Sequence, residues 1–262
     1  MLLLPLILGA AAVSAQPSEI LPADRVVSGM KGYGLTDFGD GRGIQRFDVE
    51  IIGTLKRFAP GQDMILARVA GAGLDRTGII AGMSGSPIYV EGKLIGALAY
   101  GWPFAKEPIC GITPIQSMLD IRKAPAAPPV PIAGSASSTG SLIEAFRERK
   151  FRPALEAIMA PFSPTAAGSM APLALPVSLS GGAPSALFGR LAEAAGWMAV
   201  PSGGSALPET AARPLEPGSP ISTVLMSGDM DVAASGTVTW VEGASVLAFG
   251  HPFLSMGPVD MP

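Results

Sequence analysis

The stretch Gly78 to Gly101, GIIAGMSGSPIYVEGKLIGALAYG, constrains the fold more than any other part of the chain. Two runs of apolar and β-branched residues, Ile88-Tyr89-Val90 and Leu94-Ile95-Gly96-Ala97-Leu98, flank Glu91-Gly92-Lys93, a pattern that predicts a β-hairpin. Just before it, Gly82-Met83-Ser84-Gly85-Ser86-Pro87 has the form G-x-S-G-x-P, in which glycines beside a serine admit backbone conformations closed to other residues. Such a loop can aim successive N–H groups, those of Met83 and Ser84, at one point beside the Ser84 hydroxyl. Acyl transfer uses that arrangement to stabilise an oxyanion. The plainer alternative is a glycine-rich β-turn without chemistry, and a six-residue motif does not by itself separate the two. Ser86 competes as the reactive hydroxyl, but it precedes Pro87 and opens a strand, which leaves it less free.

A chain of 262 residues accommodates one large or two small domains with a buried core. Its charged residues are sparse, at 15%, and its formal net charge of -3 argues against a nucleic-acid partner, which calls for a basic stripe. Cys110 is the single cysteine and His251 the single histidine, so an intrachain disulfide and a multi-histidine or cysteine metal site are both excluded. No metal or organic cofactor is implied. Cys110, between Ile109 and Gly111, reads as a buried inert thiol.

At the N-terminus, Leu2 to Val13 is an apolar run of signal-peptide length, too short for a membrane span, and Val13-Ser14-Ala15 offers small residues for cleavage. Residues 1–15 are therefore expected to be a signal peptide. The protein is expected to be exported, to the periplasm, the cell envelope or the medium. Contact with a membrane is expected only through that segment if it stays uncleaved. The usual basic residues after Met1 are absent, which points to a start further upstream or to an uncleaved anchor.

The region 24–122 is expected to form a β-barrel unit that carries the Ser84 loop. Closely spaced glycines in Val26 to Thr36 suggest tightly packed backbone, Asp37 to Gly43 reads as a hairpin loop, and Arg46 to Gly53 alternates like a half-buried strand. The next strand runs from Asp63 to Val69. Gly101 to Pro108 is a loop able to line a cleft or plug the barrel end. Thr113, followed by Pro114 and Gln116, reads as the N-cap of a short helix. Residues 123–140 have linker composition, and 141–216 are expected to be a helical or irregular insertion in which Leu173 to Leu179 could form a strand. Residues 217–262 should form a second β unit, with strands at Ile221 to Met226, Ala233 to Val241 and Ser245 to Phe249. The chain stops at Pro262 in the loop after His251, which suggests a fragment of a longer protein.

The segment Thr77 to Pro87, with GMKGYGLT upstream, resembles the SpoIVB peptidase family, S55, and the loop with its hairpin resembles the nucleophile segment of chymotrypsin-like serine peptidases. GTVT followed by LAFGHPF, which contains His251, is similar to the histidine motif of the same family. The resemblance implies a mainly β fold with some α, chymotrypsin-like barrel units and a helical insertion. It also implies a serine endopeptidase acting on a protein or peptide substrate, with Ser84 as nucleophile and His251 as general base and acid. Asp63 resembles the strand aspartate that orients the histidine in such enzymes, though a turn aspartate after Pro60-Gly61-Gln62 is the commoner use of that residue; Asp48, Asp75 and Asp260 stay open for the role. In the sporulation peptidase the histidine precedes the serine, whereas here it follows. Either the barrel halves are permuted or two family-like copies share the chain. The rival class is a non-catalytic envelope protein that keeps a peptidase-like barrel as a binding or scaffolding module. Oligomeric state and cleavage specificity are not legible in the sequence.

Overall fold

A computed structural model of the chain describes residues 19–59, 62–102, 106–121, 170–181, 189, 192, 197–201, 214–226 and 230–252. The signal segment, the linker at 123–140 and most of the insertion expected at 141–216 lie outside these residues.

Six antiparallel strands close a barrel: β1 (Lys31–Asp37), β2 (Ile44–Ala59), β3 (Gln62–Ala70), β4 (Pro87–Val90), β5 (Lys93–Gly101) and β6 (Ile109–Pro114). The neighbours run β1, β2, β3, β6, β5, β4 and back to β1, so no barrel strand is left as an open edge. This is the mainly β, chymotrypsin-like architecture expected from the sequence. Phe47, Val49, Ile51, Ile65, Ala67, Val69, Ile88, Val90, Ile95, Leu98 and Ile112 fill the interior. Gly34 faces that core because a Cβ there would meet the Phe47 ring at 2.1 Å. The hairpin of β4 and β5 turns at Glu91-Gly92, as its sequence predicts.

The strand β6 was not anticipated. Thr113 lies within it rather than capping a helix, and the short helix α2 begins one residue after Pro114, at Ile115–Ile121. The reason is tertiary. Pairing with both β3 and β5 closes the barrel, and this outweighs the local capping pattern. A short helix α1 (Leu74–Thr77) joins β3 to the Ser84 loop.

The second unit is an open sheet. A two-residue strand β7 (Ala171–Pro172) pairs with the end of β5, and the chain then enters β8 (Pro176–Gly181), β9 (Met198–Pro201), β10 (Pro220–Met226), β11 (Met230–Glu242) and β12 (Ser245–Ala248). The order is β10, β11, β8, β9, with β12 also on β11. β8 lies where Leu173 to Leu179 was expected to extend, and β10 to β12 fall on the three expected strands. Trp240 of β11 packs with Tyr89, Leu94, Ala97, Ile115 and Met118 on the barrel's outside. This covering explains why β5 is apolar on both sides: Ile95 and Leu98 face the barrel core, while Leu94, Ala97, Ala99 and Tyr100 face other elements.

Candidate active site

The spacing of Gly82 and Gly85 is explained by two successive turns. The Met83 N–H donates to the Ile80 carbonyl at 3.3 Å, and the Ser86 N–H donates to the Met83 carbonyl at 2.9 Å. Each turn places a glycine at its third position, with φ of 95° at Gly82 and 98° at Gly85, the conformation that a type II turn demands there. Ser84 lies between them, fully buried.

Every carbonyl from Gly82 to Ser86 accepts a hydrogen bond. Gly82 O takes the Thr237 hydroxyl at 2.8 Å, Ser84 O the Thr237 N–H at 2.8 Å, Gly85 O the Thr239 hydroxyl at 2.7 Å, and Ser86 O the Leu98 N–H at 2.9 Å. Met83 O receives both the N–H and the hydroxyl of Ser86, the latter at 2.7 Å. The Ser86 side chain is thus held inside the turn. Of the amides, Met83 N–H serves Ile80 and Gly85 N–H serves Leu98. Those of Gly82 and Ser84 have no partner among the described residues. The donors available beside the serine are therefore Ser84 N–H and Gly82 N–H, with Met83 N–H turned into the loop. Adjacency in sequence points to Met83 N–H, but the turn onto Ile80 uses that amide.

Two segments 165 positions apart meet at this loop: the Ser84 hydroxyl donates a short hydrogen bond to the Phe249 carbonyl, two residues before His251. Phe249 has φ of 67°, and the Gly250 N–H reaches back to the Ala248 carbonyl at 2.8 Å, which makes a tight γ-turn centred on Phe249. An aromatic residue in left-handed backbone is strained, and such strain concentrates at functional sites. The Phe249 ring fills the space over Gly236, where a Cβ would meet it at 2.5 Å.

His251 is half-buried beside Tyr100, with ring centroids 6.5 Å apart. Its Nδ1 lies 3.0 Å from the Pro252 carbonyl. A carbonyl only accepts, so that contact requires the proton on Nδ1 and leaves Nε2 as the basic nitrogen. Nε2 is buried and has no partner among the described residues. Burial lowers the ring's pKa below its ordinary value, partly offset by the Pro252 contact, so the imidazole is neutral at physiological pH.

The carboxylates are placed elsewhere. Asp63 accepts from Lys56 Nζ at 2.8 Å and from the Arg57 N–H at 2.9 Å, which fastens the far end of the β2–β3 hairpin. Its pKa is lowered, chiefly by the Lys56 hydrogen bond. Asp75 accepts the Gly71 N–H at 3.0 Å, and Asp48 sits in β2 opposite Ala70. None of these is bonded to His251, and Asp260 lies outside the described residues. Cys110 is buried in the barrel core with its thiol pKa pushed up to about 12, the inert group its neighbours suggested. Among the described residues no group of His, Cys, Asp and Glu could hold a metal ion, and no helix is long and apolar enough to cross a membrane.

A closed six-stranded antiparallel barrel with a serine loop between β3 and β4 defines a chymotrypsin-like barrel. Residues 12–119, less than half of the chain, match the model of the SpoIVB peptidase S55 family, and over that stretch the chain is similar to it. The match spans the whole barrel and ends before the second β unit. No curated protein and no solved structure gives a significant match to the chain.

Proposed function

We propose that the chain is an exported serine endopeptidase that cleaves peptide bonds through an acyl-enzyme. The observation carrying this reading is the meeting of the Ser84 loop with the His251 segment, where the Ser84 hydroxyl lies on Phe249 and, two residues on, the basic Nε2 of His251 has no partner among the described residues. In the reaction, rotation about χ1 takes the Ser84 hydroxyl off the Phe249 carbonyl. Its oxygen then attacks the substrate carbonyl carbon while His251 Nε2 takes the proton. The oxyanion is met by the N–H groups of Ser84 and Gly82. His251 then returns the proton to the leaving amine, and water, deprotonated by the same nitrogen, releases the acyl group and restores Ser84. Nδ1 is oriented by the Pro252 carbonyl. Export rests on the apolar run Leu2 to Val13 and the small residues after it.

One observation favours a second reading, a non-catalytic binding or scaffolding barrel: the Ser84 side chain is fully buried and its hydroxyl is already occupied. A fluorophosphonate probe separates the two. The peptidase reading expects covalent labelling at Ser84, abolished in Ser84→Ala and slowed about 10²–10⁴-fold in His251→Ala, the contribution of a general base. A folded protein that takes up no probe on Ser84 supports the scaffold.

A further inference from the structure

Thr237 and Thr239 are two apart on β11, so their side chains leave the same face of the strand, and that face lies on the Ser84 loop. Both are buried, at 2% and 0% exposure, so each hydroxyl serves its loop partner rather than water, and Thr237 Oγ1 also lies 3.4 Å from Thr36 Oγ1. A carbonyl and the next residue's N–H share one rigid peptide plane, so holding the first aims the second. The Ser84 N–H shares its plane with Met83 O, which Ser86 holds with two hydrogen bonds. The preceding plane is pinned at one end by the Thr237 hydroxyl on Gly82 O and at the other by Met83 N–H on Ile80. The following plane is pinned by Thr237 N–H on Ser84 O and by Gly85 N–H on Leu98. The plane after that is held by the Thr239 hydroxyl on Gly85 O and by Ser86 N–H on Met83. The peptide that carries the Ser84 amide, which has no partner among the described residues, is therefore fixed directly and bracketed on both sides.

We propose that Thr237 and Thr239 are positioning residues for acylation: from a strand 155 and 154 positions downstream they set the direction of the Ser84 N–H, assisted within the loop by the Ser86 hydroxyl. The role deepens the serine-peptidase reading and rests on it. Neither threonine touches substrate. Each acts through the loop carbonyl it holds, and the hydroxyl is what matters, since valine keeps the shape and loses the donor. The energetic lever is large because misplacing an oxyanion donor by an ångström costs about 10²-fold in rate.

The test uses the full chain as wild type, Thr237→Val, Thr239→Val, the double valine variant and both single Thr→Ser variants. One arm measures amide exchange at Gly85 and Ser86, whose N–H bonds depend on the clamp. The second measures fluorophosphonate inactivation, separating the maximal rate from the probe's half-saturating concentration. The double valine variant is expected to exchange about tenfold faster at these amides, as loss of two hydrogen bonds implies. Its maximal inactivation rate is expected to fall about 10²-fold with the half-saturating concentration unchanged, and serine is expected to restore both. Ser222→Ala, which breaks only the exposed Ser222–Ser235 hydrogen bond, serves as the control. Unchanged exchange overturns the clamp, whatever the labelling shows. Faster exchange with an unaltered inactivation rate overturns the positioning role, because the threonines are then merely structural. If the wild type is never labelled, the peptidase reading fails and the catalytic role falls with it, while the exchange arm still decides whether the clamp exists.

Discussion

The barrel and the open sheet solve the same physical problem in opposite ways. The barrel joins its last strand to its first, so each of its strands has a partner on both sides within residues 31–114, and its core is drawn mainly from that span. Among the described residues the sheet of β8 to β12 has unpaired edges at β9 and β10 and leaves Met198, Val200 and Val224 exposed. Its stability depends on what it leans against: Trp240 on the barrel wall and β11 on the Ser84 loop. The closed part therefore carries Ser84, and the dependent part carries His251, Thr237 and Thr239. Neither alone contains the candidate site.

The most damaging way to probe that contrast is to empty the barrel. Phe47→Ala removes the largest fully buried ring of its core and is expected to cost about 3–5 kcal/mol, read as a shift of the whole denaturation curve, with both units lost together. A selective break comes next. A Cβ at Gly85 would sit 2.0 Å from Thr237 O and 2.5 Å from Phe249 N, on a backbone with φ of 98°. Gly85→Ala is expected to cost about 3 kcal/mol and to act at the joint. Limited proteolysis should then cut the second unit while a barrel-sized fragment survives; uniform digestion of both would show that the barrel is not self-sufficient.

Two finer tests sharpen the division of labour. Because burial lowers the His251 pKa below 6.5, the unfolded chain binds the proton more readily than the folded one. Stability from the neutral ring is therefore complete above pH 6.5 and is lost as pH falls from there through the folded value. Tm should drop on acidification over that range, less so in His251→Asn, and the fluorophosphonate rate should fall with it. A Tm that rises on acidification would contradict the burial of the ring. The smallest effect is expected from Asp63→Asn. Asp63 is tied to Lys56 and Arg57 at the end of a hairpin, so labelling should keep its rate, where loss of a triad acid costs about 10⁴-fold.

The same contrast decides what could be read from the chain before its fold was known. The β4–β5 hairpin and the Ser84 loop were legible because their structure is local: Glu91-Gly92 makes the turn, and Gly82 and Gly85 occupy positions that need positive φ. The strands β10 to β12 were legible as three separate runs, the last two joined at Glu242-Gly243. β6 was missed because its reason for being a strand lies in β3 and β5, outside any local window. For the site, Ser84 and His251 stood out as residue types, but their surroundings did not. That Met83 N–H is used and Gly82 N–H is not follows from hydrogen bonds, to which composition is blind. The threonines of GTVT looked like ordinary strand residues, and their spacing of two was the one available sign that they share a face.

The distance along the chain between the hydroxyl and the turn that receives it also has a consequence in time. A ribosome adding about 5–20 residues per second needs on the order of 10–30 s to travel the 165 positions from Ser84 to Phe249. Throughout that interval Ser84 lacks both the strand that holds its loop and the segment that carries His251. If Ser84 is the nucleophile proposed above, synthesis order alone delays acylation until the sheet carrying β11 has docked on its loop.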